Sequence, residues 1–192
     1  MALIVVGGQT KHVGKTTLIC EIIRRFAAAK WTAAKITSHF HHTDHCHAIS
    51  SGADWNICEQ RMSAAPADTA RYLRAGAVRA LLVCAESGSL SAACSALKKE
   101  IGASANTIVE STAGAQILAP DMFLLVVDPE SQEFKASARE QLQRAHALVV
   151  SSRANWAGLD TPEAVPIFQC SGLGIDQALT TAIEGLLQAP GC

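Results

Sequence analysis

Excess charge is the first thing this chain lacks. Its 16 Lys and Arg residues nearly balance 17 Asp and Glu, leaving a net charge of −1. There is no sequence-wide basic field, so nucleic acid is not an expected partner. No apolar run approaches the length needed to cross a bilayer, so no membrane partner is expected either. The apolar run from Met1 to Val6 has no basic leader and leads straight into a glycine-bearing loop. It does not read as a signal peptide. No C-x-x-C pair is present. The seven cysteines (Cys20, Cys46, Cys58, Cys84, Cys94, Cys170 and Cys192) are scattered. They read as reduced, cytosolic and mostly buried thiols, which makes the expected location cytoplasmic. No linker, internal repeat or low-complexity tail divides the 192 residues, so residues 1–192 are read as one domain.

What is present is organised around Gly7-Gly8-Gln9-Thr10-Lys11-His12-Val13-Gly14-Lys15-Thr16-Thr17. The apolar run Ala2-Leu3-Ile4-Val5-Val6 precedes it. Leu18-Ile19-Cys20-Glu21-Ile22-Ile23, apolar at helical spacing, follows it. Strand, glycine-bearing loop, Lys-Thr and helix together form the context of a P-loop. Backbone N–H groups in such a loop converge on phosphate oxygens, and the helix N-terminus adds its positive dipole end. Lys15 would reach the β- and γ-phosphates, and the Thr16 hydroxyl would ligate Mg²⁺. The expected nucleotide contacts run from Gly8 through Gln9, Thr10, Lys11, His12, Val13, Gly14, Lys15 and Thr16 to Thr17. The common pattern G-x-x-x-x-G-K-[ST] would place its first glycine where Gln9 stands. Either the loop is one residue longer, starting at Gly8, or Gln9 adopts ordinary backbone geometry there.

Hydrophobic residues make up 49% of the chain, much of it alanine, which suits helices packed tightly on a sheet. A helix is predicted from Lys15 to about Lys30, and a strand over residues 32–37. The stretch from Ser50 to Pro66 has weak periodicity and reads as a loop or irregular helix. Asp68 to Ala75 reads as a short helix stopped by Gly76. Further strands are predicted at Val78 to Ala85, Ala105 to Glu110, Met122 to Val127, Ala147 to Val150 and Val165 to Phe168. Helices are predicted at Ser89 to Ile101, Glu133 to Ala145 and Ile175 to Leu187. Continuous apolar strands alternating with helices predict an α/β fold. It would be a single-domain P-loop NTPase, with a mostly parallel sheet and helices on both faces. Ligands bind such sheets at the carboxyl ends of the strands.

Glu110, at such an end, is the leading candidate for a Mg²⁺-associated catalytic acid alongside Lys15, and Asp128 is its rival. With Thr16, Glu110 makes up the expected metal set. Ser151-Ser152-Arg153-Ala154 falls where GTPases carry Asn/Thr-Lys-x-Asp, so Ser151 and Arg153 are candidate base contacts. The Asp that would pair with guanine is absent, which leaves GTP and ATP both open. Cys170-Ser171-Gly172 reads either as a loop over the base, with Ser171 as its contact, or as a simple turn. The second unusual stretch is His39-Phe40-His41-His42-Thr43-Asp44-His45-Cys46-His47, with five of the seven histidines. It admits a Zn²⁺-type metal site, a segment contacting substrate or γ-phosphate, or a solvated loop.

Read together, these motifs resemble the MobB family, molybdopterin-guanine dinucleotide biosynthesis protein B. Gly14-Lys15-Thr16-Thr17-Leu18 matches its P-loop. Ser38-His39-Phe40-His41-His42 matches its K-H-x-H-H stretch, with serine for lysine. Ala67-Asp68-Thr69, Arg71 and Ala75-Gly76-Ala77 match its K-D-S/T, Arg and A-G-A, with alanine for lysine. The resemblance covers roughly residues 2–128, and the remainder only in the order of elements. It implies GTP binding with Mg²⁺ and contact with a molybdopterin-type ligand through His39, His41, His42 and Asp68; whether the chain turns over is left open, with weak hydrolysis of GTP or ATP as one outcome. It also implies service to a partner nucleotidyltransferase, with a homodimer among the assemblies open to the chain. Gly8, Thr10 or Lys11, Val13-Gly14-Lys15-Thr16, Val109-Glu110 and Ala113-Gly114 are similar as well to the ATP-dependent ligases of the dethiobiotin synthetase type. A third reading is a metal-insertion chaperone of the nickel-GTPase kind, with the histidine stretch as cargo site.

Overall fold

The computed structural model describes residues 1–38, 46–102, 106–131, 133–150, 165–171 and 174–189. Strand β1 (Leu3–Gly8) runs into the glycine-bearing loop, and helix α1 (Lys15–Arg25) leaves it. Then come β2 (Thr32–Thr37), the hairpin β3 (Cys46–Ser51) and β4 (Trp55–Gln60), and α2 (Asp68–Ala75). Strand β5 (Arg79–Ala85), α3 (Leu90–Ile101), β6 (Thr107–Glu110) and α4 (Ala115–Leu118) follow. The chain continues through β7 (Met122–Val127), α5 (Ala136–Leu142) and β8 (Ala147–Val150) to β9 (Ile167–Ser171), β10 (Gly174–Ile175) and α6 (Gln177–Gln188). The ten strands form one sheet in the order β10-β9-β8-β7-β1-β6-β2-β5-β4-β3. From β9 to β5 every neighbouring pair is parallel; only β10, β4 and β3 join antiparallel.

Strand alternation divides the core into two halves. Ile4, Val6, Leu124, Val126 and Val149 point to one face, under α1, α2 and α6. Val5, Leu125, Val127, Leu148 and Val150 point to the other, under α3, α4 and α5. The fold class read from the sequence is thus the fold observed. Among the described residues no helix is long and apolar enough to cross a membrane.

Four expectations need correction. The stretch from Ser50 to Pro66 is not a loop or irregular helix, since it contains the end of β3 and all of β4. Strand β3 is an edge strand with half-buried and exposed residues, so it carries no apolar alternation to read. Nor are all the cysteines reduced. Cys46 and Cys58, on neighbouring strands with Cα atoms 5.6 Å apart, form a disulfide across the hairpin. Cys20, Cys84, Cys94 and Cys170 are buried, as the sequence suggested. Helix α1 ends at Arg25 rather than near Lys30. Phe26 leaves helical geometry, and its carbonyl accepts a hydrogen bond from Trp31 Nε1 at 3.1 Å. Helix α5 starts at Ala136, not Glu133, because tertiary hydrogen bonds from Gln9 hold the carbonyls of Ser131 and Glu133.

Candidate functional site

Parallel neighbours of β1 decide what surrounds the glycine-bearing loop. Strand β6 lies on one side and delivers Glu110 and Thr112; β7 lies on the other and leads to Lys135 and Ser137. Next to β6, β2 delivers Lys35, and α2 brings Asp68, Arg71 and Tyr72 over the same edge. A cavity of about 570 Å³ opens between these segments.

The loop itself is shaped by local geometry. His12 (φ 62°) and Gly14 (φ 105°) both adopt left-handed backbone, flanking Val13. Left-handed residues so close together are the backbone type from which anion-binding nests of successive N–H groups are built. A Cβ on Gly8 would lie 2.7 Å from the Val13 and Lys15 side chains, so only glycine fits there. The Thr112 hydroxyl ties this point to the β6 edge, accepting from the Gly8 N–H at 3.0 Å. Gln9 has no positive φ, which answers the question left by the sequence pattern: the tight glycine position is Gly8, and Gln9 is ordinary backbone. Gln9, Thr10 and Val13 are not in the cavity wall, whereas the other loop residues expected there are. Val13 packs into the core below, and Gln9 is buried.

Lys15 Nζ donates to the Thr10 carbonyl at 2.9 Å. Burial pushes its pKa down; Glu110 opposes this, while the Lys135 and Lys35 ammoniums add to it. The Thr16 hydroxyl donates to Glu110 Oε2 at 2.9 Å, and the fully buried Tyr72 hydroxyl donates to the same oxygen. Burial, then the Glu110 charge, drive the Tyr72 pKa well upward, so Tyr72 stays a donor. Lys35 Nζ bonds Asp68 and lies 3.4 Å from Glu110 Oε1. Burial works against its charge, but Glu110 and Asp68 outweigh it and raise its pKa. Burial likewise works against the Asp68 charge, but Lys35, the Thr16 hydroxyl and Arg71 outweigh it and lower its pKa. Thr16 and Glu110 present hard oxygen donors side by side at the mouth of the loop. That donor set fits Mg²⁺, which also takes phosphate oxygens and waters.

These shifts define a pH window. Asp68, with its pKa lowered from 3.8, contributes stability above that value and loses it as pH falls through the lowered one. Lys35, raised from 10.5, contributes below that value and loses it as pH rises through the raised one. The contribution of the pair is therefore expected to hold from about pH 4 to about pH 10. Urea midpoints of wild type and Asp68→Asn across pH check this. Their difference should stay level at neutral pH and shrink below about pH 4, where Asp68 of the unfolded chain takes up a proton before Asp68 of the folded one does. A difference that widens in acid would contradict it.

Asp128 is not brought to the cavity. Its Oδ1 accepts from the Glu130 N–H at 3.1 Å, in the turn after β7. His39, His41, His42, Ser151 and Arg153, and the side chain of Ser171, lie outside the described residues; Ser38, just before the histidines, lines the cavity. The sequence reading missed Lys35, Arg71 as a cavity residue, Tyr72 and Lys135. A lysine inside the otherwise apolar strand over residues 32–37, one strand from Glu110, was the available signal for the first. Nothing local marks Tyr72 or Lys135.

A parallel sheet wrapped by helices, with a glycine-bearing loop between β1 and α1, is a P-loop NTPase fold. The chain matches no protein-family model and no curated protein sequence. Among solved structures it is similar to LpxK from Aquifex aeolicus, crystallised in complex with ATP, with a TM-score of 0.51 at 15% identity. The match covers 88% of this chain and 53% of that one, so this chain spans about half the length of that protein. At that identity the likeness speaks for the fold.

Proposed function

We propose that the cavity binds a nucleoside triphosphate with Mg²⁺ and that the chain is a slow NTPase or phosphoryl-transfer protein. One observation carries the reading. Lys15, the Thr16 hydroxyl and the Glu110 carboxylate converge at the end of β1, beside a loop with the backbone type of an anion nest. Five cations (Lys11, Lys15, Lys35, Arg71 and Lys135) against two carboxylates line the cavity, a balance suited to a polyphosphate. Lys15 would hold β- and γ-phosphate oxygens, while Thr16 and Glu110 would hold the metal ion, which neutralises phosphate charge when bound. Glu110, kept in place by Tyr72 and Thr16, would orient a nucleophile toward the γ-phosphorus.

The nucleotide base is the finer question. The ATP complex of the similar structure supports ATP, and the sequence resemblance supports GTP. A cytoplasmic location follows from the scattered cysteines and the want of a signal-peptide pattern, and a role in molybdenum-cofactor biosynthesis from the sequence resemblance alone. There a molybdopterin-type ligand would meet His39, His41, His42 and Asp68, and a nucleotidyltransferase or a second copy of the chain would be the protein partner. The ATP-dependent ligase reading gains one specific observation: the tight glycine of the loop is Gly8, the glycine on which that resemblance rests. For the metal-chaperone reading, no group of three or more ligating side chains occurs among the described residues. Calorimetric titration with ATP and with GTP, each with and without Mg²⁺, tests the proposal. Saturable, Mg²⁺-dependent binding of either one is expected. Binding of neither would refute it.

A further inference from the structure

Gln9 has a role that phosphate binding by the glycine loop does not explain. Its side chain is buried, with 2% of the residue exposed, and fully hydrogen-bonded to a single segment. Nε2 donates to the Ser131 carbonyl at 3.0 Å and the Glu133 carbonyl at 2.9 Å; Oε1 accepts from the Asp128 N–H at 2.7 Å. The Gln9 carbonyl accepts from the Lys135 N–H at 3.1 Å, and the Thr10 hydroxyl donates to Glu133 at 3.2 Å. The start of the glycine loop and the segment after β7 are therefore one hydrogen-bonded unit.

The product of that unit is Lys135. Its side chain lines the same cavity as Lys15, approaching from the β7 side of β1, whereas Glu110 and Lys35 approach from the β6 side. Among the described residues it forms no salt bridge. Both lysines line one shared volume, and after burial the Lys135 charge is among the causes that lower the pKa of Lys15. Two like charges held together are unfavourable alone and become favourable once an anion lies between them.

We propose that Lys135 is a second phosphate-binding cation, facing Lys15 across the pocket, and that Gln9 is the residue that positions it. This rests on the triphosphate reading above and adds a binding group from outside the glycine loop. It also gives a reason for a long amide at a position where glycine is customary.

The experiment is a double-mutant cycle read by calorimetry, using whichever of Mg·ATP or Mg·GTP the wild type binds. Lys135→Ala should weaken binding about 10-fold, and Lys135→Arg should restore it to within about 3-fold. Gln9→Leu should weaken binding by a similar factor in the wild-type background and by less than about 2-fold in the Lys135→Ala background. A purely structural Gln9 would lower the melting temperature without that coupling. Lys135 is exposed, so its variants are expected to fold even if Gln9→Leu does not. Wild-type binding with unchanged affinity in Lys135→Ala overturns this proposal and leaves the triphosphate reading standing. Independent, multiplicative effects overturn the positioning role of Gln9. Absence of binding in wild type overturns both readings.

Discussion

Lys15→Ala is expected to weaken nucleoside-triphosphate binding on the order of 100-fold, about 3 kcal/mol, without unfolding the protein. The lysine is already half removed from water and sits among other cations, which is why burial and the Lys135 and Lys35 charges push its pKa down. Among the described residues its side chain hydrogen-bonds to the Thr10 carbonyl alone. Such a group contributes little to folding, and its charge acts most strongly on an anion in the cavity. Thermal unfolding of the variant should therefore stay within a few degrees of wild type, on the scale of ~1 kcal/mol. Calorimetry on a variant that remains folded makes the comparison clean. Equal affinities would mean that the phosphate does not sit on this loop.

Glu110→Gln is expected to lower the rate of γ-phosphoryl cleavage about 100-fold while changing nucleotide affinity by no more than a few-fold. An acid that orients a nucleophile acts on the transition state more than on the bound ground state. Glu110 is well placed for this: it is 5% exposed, with Thr16 and Tyr72 both donating to Oε2. The amide keeps an acceptor for those hydroxyls but withdraws the charge that faces Lys35. Because Lys35 retains Asp68, the stability loss should stay near 1–2 kcal/mol, below the cost of orphaning a buried charge. Asp128→Asn is the internal comparison. Its carboxylate caps a turn outside the cavity, so its rate should lie within about 2-fold of wild type. Single-turnover phosphate release on the two variants distinguishes the acids. A defect in Asp128→Asn alone would transfer the role to Asp128.

Much of the site was legible because it is local. Gly14-Lys15-Thr16 carries its own chemistry, and the short continuous apolar run before it, ended by glycines, has the pattern of a buried strand. Glu110 could be placed because a parallel sheet gathers strand ends at one edge, so an acid closing an apolar run falls beside the loop. The Asp68–Ala75 helix was readable from its glycine stop, and Gly76 takes a left-handed φ of 111°. Asp128 satisfied the same rule as Glu110, yet it was not brought to the cavity. Sequence order does not say that β6 and β7 flank β1 on opposite sides. The hairpin at residues 46–60 was invisible for a different reason. An edge strand needs no hydrophobic alternation, and its cross-link joins residues whose spacing matches no motif.

By itself, the sequence determined the element types outside the hairpin at residues 46–60, the parallel part of the sheet and the loop that would meet phosphate. Those depend on periodicity and on the φ values that glycine permits, properties carried by neighbouring residues. Only the tertiary structure decided that Glu110 is held by Tyr72 and Thr16, that Lys35 is shared between Asp68 and Glu110, and that Gln9 serves the segment leading to Lys135. In each case the partners lie 33 to 126 positions apart, on different strands, helices or loops, as with Lys35 and Asp68, 33 apart, or Gln9 and Glu133, 124 apart. A buried polar group must find its hydrogen-bond partner wherever the fold places one, and that choice is made by packing rather than by chain proximity.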